Sequence, residues 1–315
     1  MSQLQKVYPE GRVVLREVGL RDGLQLVKTF PSTEAKQRWL AEEHAAGVRH
    51  FEVGSFLPAK TFAQFADVRE MVRTVAALPG AHGVALVLNE RGVNEALESG
   101  VGEIASVVSA TEEHSQANAR RSRESAITNI RRLCELRDAG AYRPIVHAAI
   151  SMALGCSIAG AVDPNEVLRL VEKCLEAGVD AVGIADTVGY AGPRQVGDLT
   201  KAAVRLAGKM PICVHLHDTR GMGIANASAA LDAGARILDG SLGGLGGCPF
   251  APGATGNVVF EDLVFLCESK GFETGINIEK LVAVRAILRE EMPNEPLYGG
   301  LARAGLPCGT AARAA

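Results

Sequence analysis

The chain has 315 residues, of which 47% are hydrophobic and 4% aromatic, with 35 glycines and a formal net charge of -3. That length and apolar content suit a large globular core, and the small aromatic share favours small-residue packing of helices on a sheet over an aromatic-anchored β-sandwich. The charge lacks the basic excess that nucleic-acid binding needs, and no apolar run approaches the ~20 residues of a membrane span, so a small molecule is the expected partner.

The amino terminus, MSQLQKVYPEGRVVLREV, has no apolar signal core, and the chain reads as a cytoplasmic protein. From there, short apolar runs alternate with stretches of helical period. The runs are VVLREV (13–18), VRHFEV (48–53), GVALVL (83–88), EIASVVS (103–109), PIVHAAIS (144–151), AVGIAD (181–186), ICVHLH (212–217) and ARILDGS (235–241). Amphipathic segments such as STEAKQRWLAEEHAAG and DPNEVLRLVEKCLEAG lie between them, opening on a Ser or Asp cap and closing at a glycine. Eight βα units without a Pro/Ser-rich linker predict a single-domain α/β (β/α)8 TIM barrel over about residues 11–272, too many strands for a doubly wound sheet. The recurrent Ala46-Gly47-Val48, Ala177-Gly178-Val179 and Ala233-Gly234-Ala235 mark repeated helix-to-strand turns. Beyond about residue 273 a further helix, IEKLVAVRAILREEM, and a Gly/Ala/Pro-rich tail form an appendage that closes the barrel.

Chemistry in such a barrel sits where strands give way to the loops before the helices. Polar residues collect there: Arg21, Asp22 and Gln25 after the first run, with Lys28 just beyond, Glu52 and Ser55 at the second, and Asn89 at the third. Ser109, Ser151, Asp186, His215 and His217 follow in turn. His215 and His217 are two apart on a strand, so their rings share one face. With the Asp22 carboxylate, and Asn257 able to add an amide oxygen, they make a mixed N/O donor set that suits an octahedral divalent ion, Mg or Mn. Zinc with Cys248 as a fourth ligand is the competing choice. Blander roles are open as well: Asp22 as a turn carboxylate in Arg-Asp-Gly, Asn257 as a helix cap before VVFEDLVFLCE.

Seven cysteines, at 134, 156, 174, 213, 248, 267 and 308, include no C-x-x-C pair, which argues against a disulfide framework and a zinc knuckle. Cys248 stands apart because six glycines surround it in GGLGGCPFAPGATG, where a thiol can be mobile; burial as a small residue is the alternative. That loop lacks the lysine and hydroxyl residue of a P-loop and the order of a dinucleotide fingerprint.

VGLRDGLQ, Glu52 with Ser55, SMALGC, ADTVG, HLHDTRGMGIAN and above all GGLGGCPFAPGATGNVVFEDLV resemble the hydroxymethylglutaryl-CoA lyase family, within a superfamily of metal-dependent lyase and Claisen-synthase barrels. The resemblance runs from about Val13 to Ile278, and the cysteine loop points to the lyase branch. It implies Asp22, His215, His217 and Asn257 as metal ligands, Arg21 and Cys248 as catalytic, and Glu52 and Asp186 as supporting acids. It implies retro-Claisen cleavage of a 3-hydroxyacyl-CoA, with Arg21 holding the enolate oxygen, Cys248 returning a proton, and Asp22, His215 or metal-bound water taking the hydroxyl proton. Arg21, Gln25, Ser55, Lys28 and Asn89 are the expected substrate contacts, and a homo-oligomer is expected.

Departures from the family pattern are local. Leu20 replaces a proline, Leu26-Val27 replaces Asn-Glu, AKTFAQF keeps Lys60 and Gln64 without the tryptophan, and His147 stands where an arginine is usual. They bear on the acyl group more than on the reaction. The expected substrate is 3-hydroxy-3-methylglutaryl-CoA; the alternatives are another branched 3-hydroxyacyl-CoA such as citramalyl-CoA, a Claisen synthase, and a non-catalytic acyl-CoA-binding barrel.

Overall fold

The computed structural model describes residues 2–247 and 256–307. Eight parallel strands close into a barrel in chain order, the first pairing with the last. They are β1 (Val14–Glu17), β2 (His50–Ser55), β3 (His82–Val87), β4 (Glu103–Ser109), β5 (Ile145–Ser151), β6 (Ala181–Asp186), β7 (Ile212–Leu216) and β8 (Ile237–Gly240). Helix α1 (Gln3–Val7) precedes the barrel, and α2 (Thr33–Ala45), α3 (Val68–Ala77), α4 (Glu90–Ser99), α5 (Glu112–Ala119) and α6 (Arg123–Ala139) follow the first four strands. After them come α7 (Pro164–Glu176), α8 (Pro193–Ala207), α9 (Gly223–Asp232), α10 (Phe260–Ser269), α11 (Ile278–Glu291) and α12 (Gly300–Ala304).

Local chemistry sets these boundaries. Ser32 Oγ accepts from Ala35 N–H at 3.1 Å to start α2, and the Asp163 carboxylate accepts from Asn165 N–H at 2.9 Å to start α7, with Pro164 as its first residue. The three Ala-Gly turns place Gly47, Gly178 and Gly234 at φ 109°, 93° and 104°, where a side chain would be strained. Trp39, Phe51 and Phe260 are fully buried in the layer between helices and strands.

The appendage is part of the wall. Helix α11 packs between α10 and α2, and Asn277 N–H donates to the Ala46 carbonyl at 2.7 Å. Asp262 accepts from the N–H groups of Gly300 and Leu301, fixing the start of α12. At the opposite end of the chain, α1 delivers Tyr8 into the amino-terminal mouth of the barrel, where its hydroxyl donates to Glu103 Oε2 at 2.6 Å among Val14, Ile145, Cys213 and Ile237. A barrel predicted from about residue 11 onward leaves this plug outside it.

Inside the barrel, Ala105, Ala149, Gly183 and Ala185 are small where branched aliphatic side chains usually fill the layers. Their size leaves a cavity of about 210 Å³ bounded by the strand ends at the carboxyl-terminal rim.

Candidate active site and metal centre

At the end of β1 the Val18 carbonyl accepts from the N–H groups of Arg21, Asp22 and Gly23 at 3.1, 2.8 and 3.1 Å, winding Gly19–Gly23 into a single π-helical turn. Such turns recur at functional sites because the inserted residue re-aims its neighbours. This one presents Arg21 and Asp22 to the cavity. Glu17 Oε1 braces it, accepting from Gly19 N–H and from Leu242 N–H, both at 2.9 Å, so a single carboxyl oxygen joins the β1 turn to the segment after β8.

Arg21 Nε lies 2.8 Å from Glu52 Oε2, and its Nη1 donates to Asp22 Oδ1 at 2.6 Å and to Gln25 Oε1 at 3.2 Å. The guanidinium is therefore held on three sides. Ser55 also lines the cavity, and its buried hydroxyl has no hydrogen-bond partner among the described residues.

Strand β7 and the residue just past its end supply the imidazoles. His215 and His217 have ring centroids 5.2 Å apart and Nε2 atoms 3.2 Å apart, with Asp22 Oδ2 at 3.9 Å from the first and 3.5 Å from the second. Two nitrogen lone pairs and a carboxylate oxygen crowded together repel unless a proton or a cation lies among them. Asp22, His215 and His217 thus form a group able to hold a metal ion. Asn257 joins by a bridge to His217, its Nδ2 donating to Asp22 Oδ2 at 2.8 Å and to the Leu245 carbonyl at 2.9 Å. Its buried Oδ1 has no partner among the described residues, and that amide oxygen is the ligand atom the sequence leads one to expect. The residues present fit a divalent cation with oxygen and nitrogen ligands. Gly246 permits the close approach: a Cβ there would lie 2.6 Å from Asn257 Nδ2 and 2.8 Å from the Asp22 carbonyl.

The electrostatics separate the ligands. Burial alone would raise the Asp22 pKa, but Arg21, His215 and His217 pull it down to about 2, so Asp22 is a carboxylate across the physiological range. Burial holds His217 down to about 4 against the attraction of Asp22, leaving it neutral with one ring-nitrogen lone pair available. For His215 burial acts the same way but is outweighed by the hydrogen bond to Asp239 and the charges of Asp22 and Asp239, and the pKa rises.

The blander readings of two residues fail. Asp22 bonds Arg21 and Asn257 through its side chain, and the residue capping α10 is Val259, not Asn257. Three expected site residues lie elsewhere. The Asp186 carboxylate accepts from Tyr190 N–H at 2.8 Å and Ala191 N–H at 3.0 Å, building the turn after β6, while its carbonyl accepts from His217 N–H at 3.2 Å. As the last residue of β6, Asp186 points away from the cavity that Ala185 and Thr187 line. Asn89 is exposed and caps α4 by accepting from Gly92 N–H, because the strand has already ended at Val87. Lys28 is exposed and off the cavity wall, beyond the compact turn that holds Gln25. Cys248 lies outside the described residues.

Beneath the candidate ligands lie Arg16, Glu103 and Asp239, none of them among the expected site residues, together with His147, which departs from the family pattern. The guanidinium beside His147 belongs to Arg16 of β1, and a Cβ on Gly183 would lie 2.7 Å from His147 Nε2, so the small residue of β6 makes room for that ring. Charged residues within runs otherwise apolar were the available signal, since a charge inside a barrel strand needs a partner.

Residues 12–288 match the HMGL-like family model. The chain is 34% identical over 285 residues to a hydroxymethylglutaryl-CoA lyase of Bacillus subtilis, covering 90% of this chain and 94% of that one. It is 33% identical over 271 residues to the mitochondrial hydroxymethylglutaryl-CoA lyase of Homo sapiens, covering 86% and 83%. Among solved structures, an HMG-CoA lyase from Acinetobacter baumannii in complex with coenzyme A and 3-methylmalate superposes with a TM-score of 0.87 at 32% identity, over 95% of this chain and 96% of that one.

Proposed function

The chain belongs to the HMGL-like family, and we propose that it cleaves 3-hydroxy-3-methylglutaryl-CoA to acetyl-CoA and acetoacetate, as in leucine breakdown. The observation that carries the reading is the meeting of Asp22, His215, His217 and Asn257 beside the braced guanidinium of Arg21, at the mouth of a barrel cavity. Asp22, His215, His217 and the Asn257 amide oxygen would hold Mg or Mn, which supplies positive charge to polarise the tertiary hydroxyl.

In the cleavage, the hydroxyl passes its proton to a base, Asp22, His215 or a water, the carbon that bore it becomes the ketone of acetoacetate, and the C2–C3 electron pair passes to the thioester fragment as an enolate. Arg21, fixed by Glu52, Asp22 and Gln25, donates hydrogen bonds where negative charge grows on the thioester oxygen. Because that ion pair and the two hydrogen bonds set the guanidinium in advance, little reorganisation is left for the reaction itself. Cys248 is the proposed donor of the proton that turns the enolate carbon into the methyl group of acetyl-CoA. Asp186 acts at a distance, its turn placing the backbone of His217.

The A. baumannii relative with bound coenzyme A supports an acyl-CoA as the partner. The test is to incubate the protein with Mg and, separately, 3-hydroxy-3-methylglutaryl-CoA, citramalyl-CoA and longer branched 3-hydroxyacyl-CoA thioesters, and to identify the keto acid released. Acetoacetate from the first is expected; pyruvate from citramalyl-CoA with no acetoacetate would replace this substrate with the other.

A further inference from the structure

Directly under the metal centre the barrel interior is charged. Arg16 on β1, 4% exposed, grips Asp239 on β8 with two contacts, Nε to Oδ1 at 2.8 Å and Nη2 to Oδ2 at 2.9 Å. The two are register partners across the seam where the barrel closes. Asp239 Oδ2 lies 3.0 Å from His215 Nδ1, and the other edge of that ring faces His217 Nε2 and Asp22 Oδ2. The remaining guanidinium nitrogen, Arg16 Nη1, donates to Glu103 Oε1 at 3.2 Å, and Glu103 Oε2 is itself met by Tyr8 and His82.

We propose that Asp239 and Arg16 are positioning residues for His215, locking its ring with a hydrogen on Nδ1 and a bare Nε2 aimed at the metal site. The inference rests on the metal centre described above. A carboxylate only accepts, so a 3.0 Å contact places the hydrogen on Nδ1; the neutral ring then carries its lone pair on Nε2, the form that binds a divalent cation. Arg16 only donates, and its planar fork satisfies both Asp239 oxygens, so the carboxylate cannot turn away from the ring without breaking two charge-assisted hydrogen bonds. An acid this deeply buried also needs the cation, since an unpaired buried charge is costly. The support for the ligand is therefore the Arg16–Asp239 pair, and Glu103 and Tyr8 lie beyond it.

The test has two readouts. In the metal-free parent in alkaline buffer, long-range ¹H–¹⁵N spectra of the histidine rings should show His215 with its hydrogen on Nδ1, a measurement that needs no variant. Calorimetric titration with Mn then compares the parent with Asp239→Asn, Arg16→Met and Arg16→Lys, each checked for native near-UV circular dichroism. Asp239→Asn keeps the shape but turns an amide donor toward either Arg16 or His215. It should weaken Mn binding by roughly 10- to 100-fold, the usual consequence of losing a group that orients a ligand, and should mix the two tautomers. Arg16→Met should weaken binding in the same direction, with Arg16→Lys lying nearer the parent. Tyr8→Phe, at the far end of the chain of contacts, should leave both the Asp239–His215 pair and the tautomer unchanged. A parent with its hydrogen on Nε2, or an Asp239→Asn protein with the parent's tautomer and Mn affinity, overturns the proposal. A parent that binds no Mn yet shows the Nδ1 hydrogen, lost in Asp239→Asn, overturns the metal reading while the positioning role stands.

Discussion

Arg21→Met removes the guanidinium while keeping an apolar chain of similar length, and its cost divides between structure and rate. Asp22 Oδ1 and Gln25 Oε1 lose their donor, and Glu52 Oε2 loses its ion-pair partner. Asp22 keeps Asn257 and the two histidines, and Gln25 can turn to water, so the loss concentrates on Glu52, whose side chain is only 5% exposed. Leaving one buried acceptor without its partner should cost about 1–3 kcal/mol of stability, small enough for the barrel to fold. The rate effect is larger, because the donor is needed most when charge reaches the thioester oxygen. Removing one preorganised donor of this kind costs ~3–4 kcal/mol, or about 10²- to 10³-fold in kcat. The assay is initial-rate acetoacetate release over a range of thioester concentrations, alongside Mn calorimetry and a denaturant melt. The expected pattern is a large fall in kcat with KM and metal affinity near the parent's. A rise in KM with kcat unchanged would make Arg21 a substrate-binding residue and refute the reasoning.

His217→Ala removes a ligand whose low pKa keeps it neutral, and Mn affinity should fall by at least ~10-fold in calorimetry; parent-like binding would mean the ion is held elsewhere. Glu17 is raised to about 8 by burial, against the pull of the Gly19 and Leu242 N–H groups, so the folded state holds a proton that the unfolded chain releases near pH 4.5. Its contribution to stability is full below that pH and is lost as pH rises toward 8; the unfolding free energy from denaturant melts should decline over this window by a few kcal/mol, and Glu17→Gln should flatten the decline. Cys248→Ser should lose about two to four orders of magnitude in turnover with little change in Tm, as a missing proton donor does. Among the other thiols, Cys134, Cys174 and Cys267 are buried and pushed up to about 12, so iodoacetamide should reach Cys248 before them and substrate should protect it; normal turnover of the serine variant would end its assignment as donor.

The barrel was legible because its signals are local. EIASVVS and AVGIAD match β4 and β6 residue for residue, and the Ala-Gly turns adopt the positive φ that their glycines permit. His215 and His217 were legible for the same reason, as a period of two needs no knowledge of the fold. Asp186, Asn89 and Lys28 show where the reading stops: a polar residue at a strand end is as readily spent on the backbone of its own turn, or left in solvent, as aimed into the cavity, and one residue of phase decides between them.

The phase of β1 explains why the support beneath the site stayed hidden. Arg16 and Glu17 are adjacent in VVLREV, so one faces the barrel interior and the other the layer beneath the helices, and both are buried. Read alone, they resemble the wet edge of a strand. Their partners lie more than 200 residues away: Asp239 at 2.8 Å from Arg16, and the Leu242 N–H at 2.9 Å from Glu17. Both partners belong to β8 or the segment after it, the one strand that neighbours β1 only when the barrel closes. Closure therefore does more than remove sheet edges. On one face it fixes the acid that faces His215, and on the other it ties the turn carrying Arg21 and Asp22 to the chain leading toward Asn257, so that the proposed metal ligands meet where the barrel closes.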